Sequence, residues 1–218
     1  QTAVEQTPPG SVIAVANGTY EESVTVAQNT TLSLASNAVL SGATTAESVG
    51  IEVVGDANLT VDGGTVREFA VGVAGNGTTG NVTLRNLTVR DTASHGVNAS
   101  QSDGNWIVTN VTLRATATGI TAVASTGDWT IRDTVVDDVT TTAVNATAAA
   151  GTWSVNGSAL LGYGSVGLNA TDATQTVDAT DNLWNDGNPP TVSSNGSATG
   201  DCVGNVDCDP FSITLPAS

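Results

Sequence analysis

Lysine and methionine do not occur in this chain, histidine occurs once (His95), cysteine twice, and aromatic residues make up 4%. With so few large side chains, a deep mixed core is excluded. The interior must instead be built from the abundant Val, Ala, Thr and Leu, stacked in rows as β-branched residues prefer. The five basic residues are all Arg and face 21 Asp and Glu, for a formal net charge of -16. That balance excludes a nucleic-acid partner, which would need basic patches to neutralise phosphates. No apolar run approaches the roughly 20 residues of a transmembrane helix, so no membrane span is expected in this chain. No signal peptide is seen. A start at Gln1 is compatible with a mature protein whose signal has been removed, and a surface anchor could likewise have followed Ser218.

What is present is a repeat. Trp106, Trp129 and Trp153 are spaced by 23 and 24 residues, and their column runs back through Val82 to Leu59 and forward to Val177. Two residues later comes a second column, Val61, Leu84, Val108, Ile131 and Val155. A third holds Val66, Val89, Leu113, Val136, Leu160 and Trp184, and a fourth holds Ile51, Val73, Val97, Ile120, Val144 and Leu168. A fixed period in this range is the mark of a solenoid. Within each repeat the apolar spacing is two, as in Asn81-Val-Thr-Leu-Arg and Asp128-Trp-Thr-Ile-Arg, which is the alternation of a strand. The Trp column, alternating with Leu59 and Val82, is expected inside the core rather than as an exposed sugar platform.

The turns agree with strands. Gly63, Asn86, Asn110, Asp133, Gly157 and Asp181 fall at one position of the repeat, and these residue types enter left-handed backbone at least cost. Gly50, Gly72, Gly96, Gly119 and Gly167 suggest a second corner. The expected fold is all-β: a single-stranded right-handed parallel β-helix of 23–24-residue coils, with a short N-terminal helix cap and a loop-rich C-terminal cap. One domain is expected over 1–218, with the N-terminal cap and first coil in 1–30, repeat coils in 31–181 and a capping segment in 182–218. Cys202 and Cys208 read as a local disulfide. Zinc would need further Cys or His ligands nearby.

The opening segment, Pro8-Pro9-Gly10, then Ser11-Val-Ile-Ala-Val, then Gly18-Thr19-Tyr20 and a further strand, resembles the first coil of the pectate-lyase-like β-helix superfamily. The far end, Asp181-Asn-Leu-Trp and Gly204-Asn-Val-Asp-Cys-Asp-Pro-Phe, resembles the closing segment of repeat proteins on haloarchaeal and other microbial surfaces. The acidic, Lys-free, Thr- and Ala-rich composition is similar to that of secreted haloarchaeal proteins, which work where strong salt shrinks the Debye length to roughly 3 Å at 1 M. The resemblance implies that Cys202 and Cys208 staple the C-terminal cap. For activity it is unspecific, because the superfamily holds lyases, hydrolases, tailspikes, adhesins and structural subunits.

The chemistry-bearing residues are sparse. Arg67, Arg90 and Arg114 recur at 23 and 24 residues. Together with Arg85 and Arg132, which lie two coils apart on another face, they read either as a stripe for uronate carboxylates or as an outward ladder balanced by Glu68, Asp91, Asp62 and Asp133. Lyases of the superfamily pair calcium-binding acids with a basic residue, and hydrolases cluster three acids. Asp137-Asp138 and Ser94-His95-Gly96 resemble only fragments of the latter pattern, and His95 reads as a solvated turn residue. Asp201, Asp207 and Asp209 offer oxygen ligands to Ca2+. Asn-x-Ser/Thr occurs at Asn17, Asn29, Asn58, Asn76, Asn81, Asn86, Asn98, Asn110, Asn145, Asn156, Asn169 and Asn195, which fits a glycosylated extracellular surface. With no coherent catalytic set, the expectation is a non-catalytic structural or adhesive cell-surface protein of a halophile. Its partners would be itself, end to end as a filament or side by side, or surface glycans. A polysaccharide lyase- or hydrolase-like enzyme and a carbohydrate-binding module stand as the alternatives.

Overall fold

A computed structural model describes residues 1–42, 48–185, 190–193 and 200–211. The chain is an all-β parallel β-solenoid with one short helix, Thr2–Gln6, at its start. Each coil contributes short strands to three faces, and every named strand pair is parallel. The first face is a sheet of nine strands, running from Ser11–Val15 through Leu59–Asp62, Trp106–Thr109 and Trp153–Asn156 to Val206–Asp207. The second and third faces form one continuous sheet, because Thr88–Asn98 and Thr112–Thr121 run unbroken across the corner between them.

All four apolar columns hold register. Leu59, Val82, Trp106, Trp129 and Trp153 lie in line on the first face, with Val61, Leu84, Val108, Ile131 and Val155 two residues on. The third column lies on the second face and the fourth on the third face, and every member of both is at most 1% exposed. Trp106, Trp129 and Trp153 are buried and stacked, with centroids 5.1 and 4.7 Å apart. The indole N–H of Trp106 donates to Ser102 Oγ at 3.0 Å, whereas those of Trp129 and Trp153 find no partner among the described residues. Four residues before Trp153 the acceptor position holds Ala149.

Left-handed residues mark three corners rather than two. The expected series is there: Gly63, Asn86, Asn110, Asp133, Gly157 and Asp181 all have positive φ, between 51° and 86°. The expected glycine corner is not. Gly50, Gly72, Gly96, Gly119 and Gly167 lie inside third-face strands, where there is no room for a side chain. A methyl on Gly96 would meet the Gly119 carbonyl oxygen at 2.8 Å and Leu113 Cδ2 at 2.9 Å. The true second corner is Glu68, Asp91, Ala115, Asp138 and Gly162, and the third is Gly55, Gly77, Gln101, Ala124, Ala148 and Asp172. Alanine at such a position costs roughly 1–2 kcal/mol, so the coil-to-coil hydrogen bonds, not local preference, impose those bends.

Side chains also stitch the coils. The Oδ1 atoms of Asn29, Asn58, Asn81, Asn105 and Asp128 each accept the backbone N–H one coil further on, at 2.8–2.9 Å. At the other end Cys202, on a third-face strand, is bonded to Cys208, just past the last first-face strand, and both are buried.

Candidate functional site

Outside the second face, two columns stand side by side. Thr65, Thr88 and Thr112 are aligned strand to strand, and two residues along each strand so are Arg67, Arg90 and Arg114. Each row therefore offers a hydroxyl and a guanidinium on either side of a buried Val or Leu, because strand alternation points both outward. At roughly 4.8 Å per coil, Arg67 and Arg114 stand about 10 Å apart along the rod. The column ends in a reversal of charge, since Asp137 occupies the next rung.

The adjoining corner decides how free each arginine is. Arg67 pairs with Glu68 at 3.6 Å, and Arg90 pairs with Asp91 beside it. In the third coil the corner residue is Ala115. Arg114 therefore has no acid beside it at that corner. It contacts Asp137 through Nε at 3.5 Å, which leaves its outer nitrogens unspent among the described residues. Side-chain exposure rises along the column from 29% at Arg67 to 40% at Arg90 and 61% at Arg114, so Arg114 is the guanidinium of this column most open to an anionic ligand. The ladder expected from the sequence thus exists, except that Arg132 bonds Thr109 Oγ1 rather than Asp133, while Arg85 takes Asp62 at 3.1 Å.

Beyond Arg67 the same corner opens into a cleft of about 520 Å³, lined by Glu21, Glu22, Ser41, Glu68 and Phe69 among others. Ser41 Oγ donates to Glu68 Oε2 at 2.5 Å, and Glu22 holds the N-terminal ammonium at 2.5 Å.

His95 is no solvated turn residue. It sits within the strand Thr88–Asn98, five residues past Arg90, between Val71 and Thr118 in the sheet. It is half-buried, and the loss of solvent holds its pKa below the usual imidazole value. Its Nδ1 lies 2.6 Å from Ser94 Oγ. Asp137-Asp138 and His95 remain apart, as their separation in sequence implied, since Asp137 is aligned with Arg114 and His95 with Thr118.

Of the acids proposed for Ca2+, Asp201 is engaged otherwise, and Asp207 Oδ1 accepts the backbone N–H of Asp209 at 3.3 Å. Asp201 Oδ1 accepts the Tyr163 hydroxyl, and Oδ2 accepts the backbone N–H and hydroxyl of Thr191, both at 2.8 Å. Among the described residues no three His, Cys, Asp or Glu side chains gather into a group suited to a metal. Of the sequons, Asn195 lies outside the described residues, and the other eleven are at least partly exposed. The Thr column beside the arginines was missed in the sequence, although its T-x-R spacing in three successive coils was there to be read.

The fold and this face define a parallel β-solenoid with an arginine- and hydroxyl-bearing stripe. No family model matches the chain, and no curated protein matches it either. Among solved structures it is similar to an alginate lyase from Paenibacillus sp. str. FPU-7. The identity is 16%, the TM-score is 0.51, and the match covers 97% of this chain and 93% of that one. At that identity the likeness shows the fold. It also corrects the expectation of a non-catalytic structural or adhesive rod, filament included. A solved structure that shares the fold along nearly the whole chain is that of an alginate lyase, which favours the lyase alternative over the inert rod.

Proposed function

We propose that this chain is a polysaccharide lyase-like enzyme acting on an acidic, uronate-bearing glycan, with the second face as its binding stripe. The observation that carries the reading is the in-register column Arg67, Arg90 and Arg114 beside Thr65, Thr88 and Thr112. About 10 Å of aligned guanidiniums and hydroxyls suits a short stretch of sugar, with carboxylates on the arginines and ring hydroxyls on the threonines. The solenoid neighbour, a lyase of alginate, supports the same class of substrate.

In such a lyase a base removes the proton on the carbon next to the uronate carboxylate. The electron pair becomes a ring double bond, and the glycosidic oxygen on the following carbon leaves and takes up a proton. Negative charge builds on the carboxylate as the proton departs, so a guanidinium held against it stabilises that transition state more than the ground state. Arg114 is assigned this role, since its outer nitrogens are unspent. His95, one coil back and aligned with Thr118, four residues past Arg114, is assigned the base: burial favours its neutral form at neutral pH, and with Ser94 Oγ at Nδ1 its other nitrogen is left for the substrate. The disulfide and a polymeric substrate support an extracellular setting. The net charge of -16 supports work in strong salt, where its repulsion of a polyanion is screened.

The test is to incubate the folded chain with alginate and with polygalacturonate, in low and in multimolar salt, and follow ultraviolet absorbance of the unsaturated product. Turnover that is lost in Arg114→Ala and His95→Gln supports the assignment. If no uronate polymer yields unsaturated ends at any salt concentration, the lyase reading fails.

A further inference from the structure

The eleven described sequons are not equivalent, because the amide nitrogen that would carry a sugar is free in some and spent in others. At the corner between the first and second faces it is spent. Asn86 Nδ2 donates to Asp62 Oδ1 at 2.7 Å, Asn110 Nδ2 to Asn86 Oδ1 at 2.9 Å, and Asn156 Nδ2 to Asp178 and to both oxygens of Thr180 at 2.9–3.2 Å. These amides run between coils, so a sugar there would have to wedge into the ladder and displace its bonds.

Asn98, Asn145 and Asn169 are built the other way. They share one column of the third face: Asn98 is aligned with Thr121, Thr121 with Asn145, and Asn145 with Asn169. In each, the amide oxygen is turned inward to its own sequon. Asn98 Oδ1 accepts the backbone N–H of Ser100 at 3.2 Å and its hydroxyl at 2.9 Å. Asn145 Oδ1 accepts the same two groups of Thr147 at 3.2 and 2.6 Å, and Asn169 Oδ1 those of Thr171 at 3.0 and 2.7 Å. The oxygen is satisfied within three residues, and Nδ2 makes no bond to the described residues. The amide plane is thus fixed with its nitrogen presented outward, and the hydroxyl that the sequon requires is already on the amide oxygen. Polarising that oxygen draws the nitrogen lone pair into the amide, so what the pose supplies is placement rather than nucleophilicity.

We infer that Asn98, Asn145 and Asn169 are N-glycan attachment sites and that Asn86, Asn110 and Asn156 are not. The step requires a phosphate-activated glycosyl donor and a transferase. The anomeric carbon leaves its phosphate oxygen, bonds to Nδ2, and one Nδ2 proton is released. Sugars placed this way stand at the far end of the third-face strands, beyond His95, and leave the Thr and Arg rows of the second face bare, an arrangement that does not depend on whether those rows bind uronate.

The full chain, secreted from an N-glycosylating host, is digested and its glycopeptides are quantified site by site by mass spectrometry. Sugar at Asn98, Asn145 and Asn169, with the Asn86, Asn110 and Asn156 peptides unmodified, is the expected result. The triple variant N98Q/N145Q/N169Q should then lose the glycan carried on those three peptides, with its folded state checked by circular dichroism. Equal or greater occupancy at Asn86, Asn110 or Asn156, or no sugar on the third-face column, overturns the inference.

Discussion

A single alanine sets the character of the second face. At Glu68 and Asp91 the corner acid pairs with the arginine of its own coil, whereas Ala115 offers none and leaves Arg114 only the Asp137 carboxylate of the next coil, at 3.5 Å. Removing Arg114 should therefore cost more uronate binding than removing Arg67. A charge-assisted hydrogen bond of roughly 1.5–3 kcal/mol corresponds to about a 10- to 100-fold loss for Arg114→Ala, against a few-fold for Arg67→Ala, as read by calorimetric titration with an oligouronate. Replacing Ala115 by Asp should reproduce much of the Arg114→Ala loss without touching the arginine. His95 carries a second prediction. Its folded pKa lies below its unfolded one, so below about pH 6.5 the unfolded chain takes up a proton that the folded chain resists. Its contribution to stability is thus intact above the unfolded pKa and diminishes as pH falls toward the folded value. Urea midpoints should drop more between pH 7.5 and 5.5 in the natural chain than in His95→Gln, and parallel curves would remove the residue from the pH response.

At the scale of strands and corners, the repeat is carried by rows whose members support one another. Truncating Trp129 removes the middle ring of the stack and opens a void between Trp106 and Trp153, and a loss of about 3–5 kcal/mol is expected for Trp129→Ala, measured by chemical denaturation. Gly104→Ala should cost about 1–3 kcal/mol by overpacking, since its missing side chain is what lets the Gly80 carbonyl approach. These elements also show what the sequence reveals and what it hides. Periodicity of Val, Leu and Trp exposes four buried columns, whereas a buried row of mixed type, such as Thr78, Ser102, Ser125 and Ala149, leaves no apolar period to read. The Asn and Asp corner is equally visible, since left-handed backbone selects them. The corners containing Ala115 and Ala148 leave no such trace, for there the hydrogen bonds of neighbouring coils override local preference. The same limit applies to the site. The arginine column is legible as a spacing, but whether each guanidinium is spent depends on the corner residue beside it, which only the fold brings into contact. For that reason the ladder alone favoured an inert rod.

For the molecule as a whole, each coil touches mainly its neighbours, so stability should approximate a sum over coils and interfaces. The surplus of acids is distributed along the entire rod, and its repulsion is screened as ionic strength rises. The thermal midpoint should therefore climb from dilute buffer to about 2 M NaCl, and a midpoint that falls or stays level would show that the charges do not limit the fold. The disulfide acts only at the final coil. Closing a short loop contributes at most about 2–3 kcal/mol, so reduction should loosen the Cys202 end before the centre. The tryptophan stack offers a way to watch this happen. Three nearly parallel indoles, with centroids 5.1 and 4.7 Å apart and interplanar angles of 4° and 12°, couple their electronic transitions and give an exciton signature in circular dichroism. That signal requires adjacent coils of this stretch to stay in register, and is fullest when all three do, so it reports the middle of the rod by itself. Unravelling from either end would leave it intact until the last cooperative step, and the order in which coils separate becomes readable without any added label.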